Sequence, residues 1–155
     1  MNKNSYAVHD AKTNDNYKLM KACAACTPQQ LEVVDSYGNT ALLKACYLGN
    51  VDAVRVLLKF NVNLHAINFF GQNALTLAAH SGSLEVVNEL LKYRSYTDFT
   101  LSSMIPPICV ALLRGHEQLI GFFQNMHPMS FRSAHGLTLS DLYTMKMEYE
   151  PQNIK

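Results

Sequence analysis

The sequence predicts an all-α solenoid of stacked helix-turn-helix units, joined by short turns or β-hairpin tips, and three observations carry that prediction. First, DSYGNTALLKACYLGNVDAVRVLLK from Asp35 lies over NFFGQNALTLAAHSGSLEVVNELLK from Asn68, with Gly38 over Gly71, Ala45 over Ala78 and Leu57-Leu58 over Leu90-Leu91, all at one constant offset. A fixed period of about 33 residues marks stacked repeats, in which each unit buries its apolar face only against a neighbour. Second, the apolar spacing inside one period is helical: Leu42, Ala45 and Cys46 stand at i, i+3 and i+4. Third, glycines recur at the same two stations, Gly38 and Gly71 in the turns and Gly49 and Gly82 at the helix ends.

At 155 residues and 48% hydrophobic composition the chain is read as one ordinary domain. A net charge of +1 supplies no field that would draw nucleic acid or an anionic membrane. No apolar run approaches the length of a membrane span, and the opening MNKNSYAVHD lacks the basic-then-apolar order of a signal peptide, so a cytoplasmic protein is expected.

Residues 1–16 are polar and aperiodic and read as a flexible tail. The repeat domain is expected over 17–143, beginning with a truncated capping unit, 17–34. There, Leu19 to Cys26 repeats the shape of Leu42 to Gly49, and Thr27-Pro28 opens a curtailed helix to Val34. The unit 35–67 has a turn at Ser36 to Asn39, a cap at Thr40, a first helix Ala41 to Leu48 closed by Gly49, and a second helix Val51 to Phe60 burying Val54, Leu57 and Leu58. Unit 68–100 repeats this order. In 101–133, Ala111 and Gly115 keep the period, Met104 replaces the turn glycine, and Pro106-Pro107 opens the first helix. The stretch 134–143 reads as a partial capping unit and 144–155 as a C-terminal tail.

These residues resemble the ankyrin repeat, whose unit of about 33 residues runs D-x-x-G-x-T-P-L-H-x-A-A-x-x-G, then a small polar residue, a V-V pair and an L-L-L run. The first copy matches at Asp35, Gly38, Thr40, Leu42, Ala45, Gly49, Val54 and Leu57-Leu58. The second matches at Gly71, Leu75, Ala78-Ala79, Gly82, Val86-Val87 and Leu90-Leu91. The family's proline is replaced by Ala41 and Ala74 and its histidine by Leu43 and Thr76, departures expected to weaken hydrogen bonding within each turn.

The resemblance implies a protein partner bound on a concave surface made by the turn tips and the C-terminal ends of the first helices. Position by position that surface holds Ser36, Tyr37, Asn39, Tyr47 and Leu48, then Phe69, Phe70, Gln72, His80 and Ser81, then Ser102, Ser103, Ile105, Leu113 and Arg114. The partner-binding set drawn from it is Tyr37, Asn39, Tyr47, Leu48, Phe69, Phe70, Gln72, His80, Leu113 and Arg114. Tyr37, Tyr47, Phe69 and Phe70 are large rings where a merely soluble repeat carries polar groups, and such rings dominate binding hot spots. The competing reading folds Tyr37 or Phe70 back onto the next turn.

Cys23 and Cys26 form a C-x-x-C without a second ligand pair, and Cys23 falls where the repeat wants a small buried residue. His116 is read as a local hydrogen-bonding residue and His80 as an exposed contact. No phosphate loop, nucleophile elbow or paired-histidine motif stands out, so no catalysis, cofactor or metal is expected. The function predicted is a monomeric protein-protein interaction module that inhibits, tethers or targets its partner without binding nucleic acid or inserting in a membrane. Two alternatives are kept: a metal-binding or catalytic protein using Cys23 and Cys26, and a homo-oligomer paired through its aromatic face. Small free-standing ankyrin proteins also include viral proteins and bacterial effectors, and the Asn- and Lys-rich tails leave delivery into a host cell open.

Overall fold

The computed structural model describes residues 8, 9, 15–126, 138, 141 and 144. Among them the helices are α1 (Asn16–Ala24), α2 (Pro28–Leu31), α3 (Ala41–Tyr47), α4 (Val51–Lys59), α5 (Ala74–Ser81), α6 (Leu84–Leu91), α7 (Tyr96–Leu101), α8 (Pro107–Arg114) and α9 (Glu117–Gln124). The sole β pairing among the described residues is one antiparallel bridge, Ile67 to Asn73, across the second turn.

Most helices start at a side chain that satisfies an otherwise orphaned backbone donor. Asp15, Thr40, Asn50, Asn73, Ser83 and Ser95 each accept the N–H of the third residue on. Thr27 and Gln30 do so reciprocally at α2. Each such cap contributes about 1 kcal/mol. The inner helices end on left-handed glycines, and at Gly82 (φ +78°) a Cβ would also lie 2.7 Å from the His116 ring of the next unit.

Helices α3, α5 and α8 pack side by side as an inner row, backed by α4, α6 and α9, while α1 packs on α4. Covered from both sides and from behind, α5 buries every residue from Ala74 to Ala79. The outer helices bury one stripe each, Val54, Leu57 and Leu58 in α4 and Val86, Val87 and Leu90 in α6. Full burial of each such Leu or Val contributes about 1.5–3 kcal/mol. Polar links cross the same seams: Arg55 Nε of α4 lies 3.0 Å from Glu89 Oε1 of α6, which also takes Lys92 Nζ from the end of its own helix at 2.8 Å. Asn73 Nδ2 donates to the Phe99 carbonyl at 2.6 Å, and Thr76 Oγ1 meets Ser103 Oγ at 2.8 Å. Thr76 occupies the position of the family's histidine, so its hydroxyl ties neighbouring turns together there.

Three details differ from the sequence reading. Helix α7 spans the end of unit 68–100 and the start of 101–133, where the sequence reading assigns no helix. Ser95 caps it, and Tyr96 and Phe99 are buried, with the Tyr96 and Phe123 rings 5.3 Å apart. So short a segment cannot display a helical period, and packing rather than propensity stabilises this turn and a half. Helix α2 stops at Leu31, short of Val34. Finally, residues 1–16 are not a polar tail throughout: Asn16 opens α1, Val8 is 2% exposed within the core cluster, and His9 Nε2 donates to the Val33 carbonyl at 2.7 Å. A single apolar residue that docks in this way leaves no periodicity in the sequence. Of the partial unit 134–143, Thr138 and Asp141 exchange capping hydrogen bonds. The remainder of that unit and of the tail 144–155, apart from Thr144, lies outside the described residues.

Candidate functional site

The turn tips are built around two equivalent acceptors. Asp35 Oδ1 takes the N–H of Tyr37 (2.9 Å) and of Asn39 (3.0 Å). One period later Asn68 Oδ1 takes those of Phe70 and Gln72, both at 3.0 Å. Adjacent tips are then stitched together, Phe69 N–H to the Tyr37 carbonyl and Met104 N–H to the Gly71 carbonyl, each at 3.1 Å. Gly38 has φ +78°, and a Cβ there would come within 2.6 Å of the Phe69 ring, so the ring packs closely against a bare backbone.

On this frame Phe69, Phe70, Tyr37 and Tyr47 are 73%, 62%, 60% and 49% exposed. Tyr37 and Phe70 do lean together, with ring centroids 6.5 Å apart at 31°, but neither is buried by the contact. Tyr37, Asn39, Tyr47, Asn68, Phe70, Gln72 and Leu77 enclose an open cleft of about 290 Å³. Five of the ten sequence-chosen residues therefore meet at one place.

The other five are not part of its lining. Phe69 covers Gly38 at the side. His80 stacks on Tyr47, centroids 5.0 Å apart and planes at 27°, and its carbonyl accepts from His116 Nε2 at 3.0 Å. Burial, followed by the charges of Arg114 and His116, holds the His80 imidazole below its usual range, so it is mostly neutral at pH 7 and acts as a flat apolar plate. Leu48, Leu113 and Arg114 are exposed at the same helix ends but do not line the cleft.

Asn68, Leu77 and Met104 are not among the sequence-chosen residues, although the first two line the cleft and the third lies against Gly71. The period itself holds the missing signal for Asn68, which falls one full repeat after Asp35. Its role is that of a 5% exposed hub that also donates through Nδ2 to Asn39 Oδ1 and Gln72 Oε1.

The C-x-x-C offers different chemistry. Burial, with a smaller effect from Cys26, pushes the Cys23 thiol up to about 11, and burial also raises Cys26. Thiols kept protonated at neutral pH are poor nucleophiles and poor metal ligands. Among the described residues no group of three or more His, Cys, Asp or Glu is placed to hold a metal ion, and no helix is long and apolar enough to cross a membrane.

Comparison with known proteins agrees with this architecture. Residues 5–102 match the family model described as ankyrin repeats (3 copies). The chain is also 52% identical over 118 residues, 74% of its own length and 68% of the relative's, to a Drosophila melanogaster protein named DNA replication inhibitor plutonium. With its recurring turn and helix pair, its paired rows of helices and a match across most of its length, the chain belongs to the ankyrin-repeat family.

Proposed function

We propose that this chain is a non-catalytic, protein-binding inhibitor of DNA replication that holds its partner against the turn tips and the concave ends of α3, α5 and α8. The observation that carries the reading is a set of four exposed rings: Tyr37, Phe69 and Phe70 on tips that hydrogen bonds already hold in place, and Tyr47 at the end of α3. Rings on a preorganised surface lose little entropy on docking. A large exposed apolar group of this kind, with no structural duty inside the fold, is what partner proteins bury. The restriction to DNA replication rests on the fly relative's name, and its 52% identity supports carrying that role over. An inhibitor of this kind works in the cell that makes it, in cytoplasm or nucleus, which favours a resident regulator over a protein delivered into a host.

The test is DNA synthesis in a cell-free extract that replicates added nuclei. Wild-type protein lowers nucleotide incorporation, and the Phe69→Ser/Phe70→Ser variant, with an unchanged thermal melt, does not. Loss of two hot-spot rings costs at least about 2 kcal/mol of binding, roughly thirtyfold in affinity. A folded double variant that inhibits as well as wild type overturns the proposal.

A further inference from the structure

The cleft between the first two tips has a polar floor whose hydrogen-bonding direction is fixed. Backbone N–H groups can only donate, so the atom of Asn68 that faces those of Phe70 and Gln72 at 3.0 Å must be its oxygen. Asn68 Nδ2 must then point the other way, toward Asn39 Oδ1 at 3.1 Å and Gln72 Oε1 at 2.9 Å. Because Nδ2 only donates, both of those atoms are oxygens as well. Asn39 and Gln72 are thus left with their –NH2 groups as the atoms free to serve a ligand. The rings of Tyr37, Tyr47 and Phe70 wall the same cleft, and no charged side chain lines it among the described residues.

We propose that this cleft takes one extended, uncharged stretch of a partner polypeptide, whose backbone carbonyls accept from the Asn39 and Gln72 amides while an apolar side chain lies among the rings. The inference rests on the concave-face reading above and adds the chemistry of what binds there. Two donors call for an acceptor. A carboxylate would have to lose its water in a ring-lined cleft without a cation to replace it, whereas a peptide carbonyl loses far less. The Asp35 carboxylate at the base of the first tip opposes an anion further. In an extended chain successive side chains point to alternate faces, so one can enter among the rings while the backbone carbonyls beside it turn toward the amides. A volume of about 290 Å³ accommodates one or two apolar side chains and not a folded element.

The probe is a capped heptapeptide of Ser and Gly with a central Leu, titrated into 15N-labelled full-length protein and followed at the side-chain NH2 resonances. The expected result is a saturable shift of the Asn39 and Gln72 NH2 signals with much less at Asn68, and weaker binding of the same peptide with a central Asp. In Asn39→Asp/Gln72→Glu both donors are lost, while an oxygen still accepts from Asn68 Nδ2, so the melt is kept and affinity falls at least about tenfold. Preference for the Asp peptide, unchanged affinity in a folded double variant, or no shift at either amide up to millimolar peptide overturns the inference. The wild-type titration decides the matter even where the double variant fails to fold. If the amides do not respond but inhibition of DNA synthesis still depends on Phe69 and Phe70, the cleft chemistry is wrong and the concave-face reading stands.

Discussion

Replacing Asn68 by Ala removes the one side chain on which the second turn tip depends, and the cost can be worked out from its partners. Two backbone donors, at Phe70 and Gln72, lose an acceptor, and two amide oxygens, on Asn39 and Gln72, lose a donor. Phe70 is exposed, so water can reach its tip, whereas Gln72 is half-buried and its N–H is stranded more deeply. Counting one stranded group and several partly rehydrated ones gives a loss of about 2–3 kcal/mol. For a chain of this size that is a fall in Tm of about 5–10 °C. The assay is urea unfolding followed by circular dichroism, with a lowered midpoint and an unchanged slope expected. Asn68→Asp is the informative companion. It keeps the oxygen that serves both N–H groups and presents a second oxygen to Asn39 and Gln72, so their amides must rotate to donate inward, and stability should fall far less than in the Ala variant. Equal losses in the two variants would refute the hub argument, as would an Ala variant whose loss is smaller than that of a single ordinary hydrogen bond, below about 0.5 kcal/mol.

Three further outcomes are expected. Gly82→Ala should cost about 1–3 kcal/mol, because φ is +78° there and the new Cβ would press on the His116 ring; adding His116→Ala should restore only the part due to the ring, a difference that double-variant melts resolve. Gly121→Ala should stabilise by about 0.5–1 kcal/mol, since this exposed position in α9 has open space around it and Ala is the better helix former; a lower melting midpoint would count against it. Lys92 first, and also Arg55, hold the Glu89 carboxyl below its ordinary value of 4.5 against the opposing effect of burial. Since that folded value is depressed, the stabilisation is present above the unfolded value and is lost as pH falls through the folded one. Urea midpoints measured from pH 6 down to pH 3 should therefore fall, and Glu89→Gln should flatten part of that slope.

How much of this the sequence reveals follows from periodicity. The helices of the two full copies and the glycine stations are visible because the same physical demand recurs once in every repeat, and the rings at Tyr37, Tyr47, Phe69 and Phe70 because they stand where that demand calls for no large apolar group. Helix α7 and the docked Val8 are singular events without a second copy to compare, and packing alone establishes them. The site is legible as a place but not as chemistry. Asn39 and Gln72 are readable as tip residues, yet which of their atoms is left for a ligand depends on Asn68 and on backbone donors that only the folded turn brings together. Met104 reads in the sequence as a lost glycine, and its position over Gly71 depends on the hydrogen bond between tips.

One face of the stack, and not the other, is expected to receive a protein. Photo-crosslinking tests it directly, with benzoylphenylalanine placed at Phe70 on the concave side or at Asn88, exposed on the outer helix α6. In replication-competent extract the Phe70 position should yield a discrete adduct that excess unlabelled wild-type protein suppresses, while the Asn88 position yields none. Adducts in equal yield from both positions, or from Asn88 alone, would contradict the account.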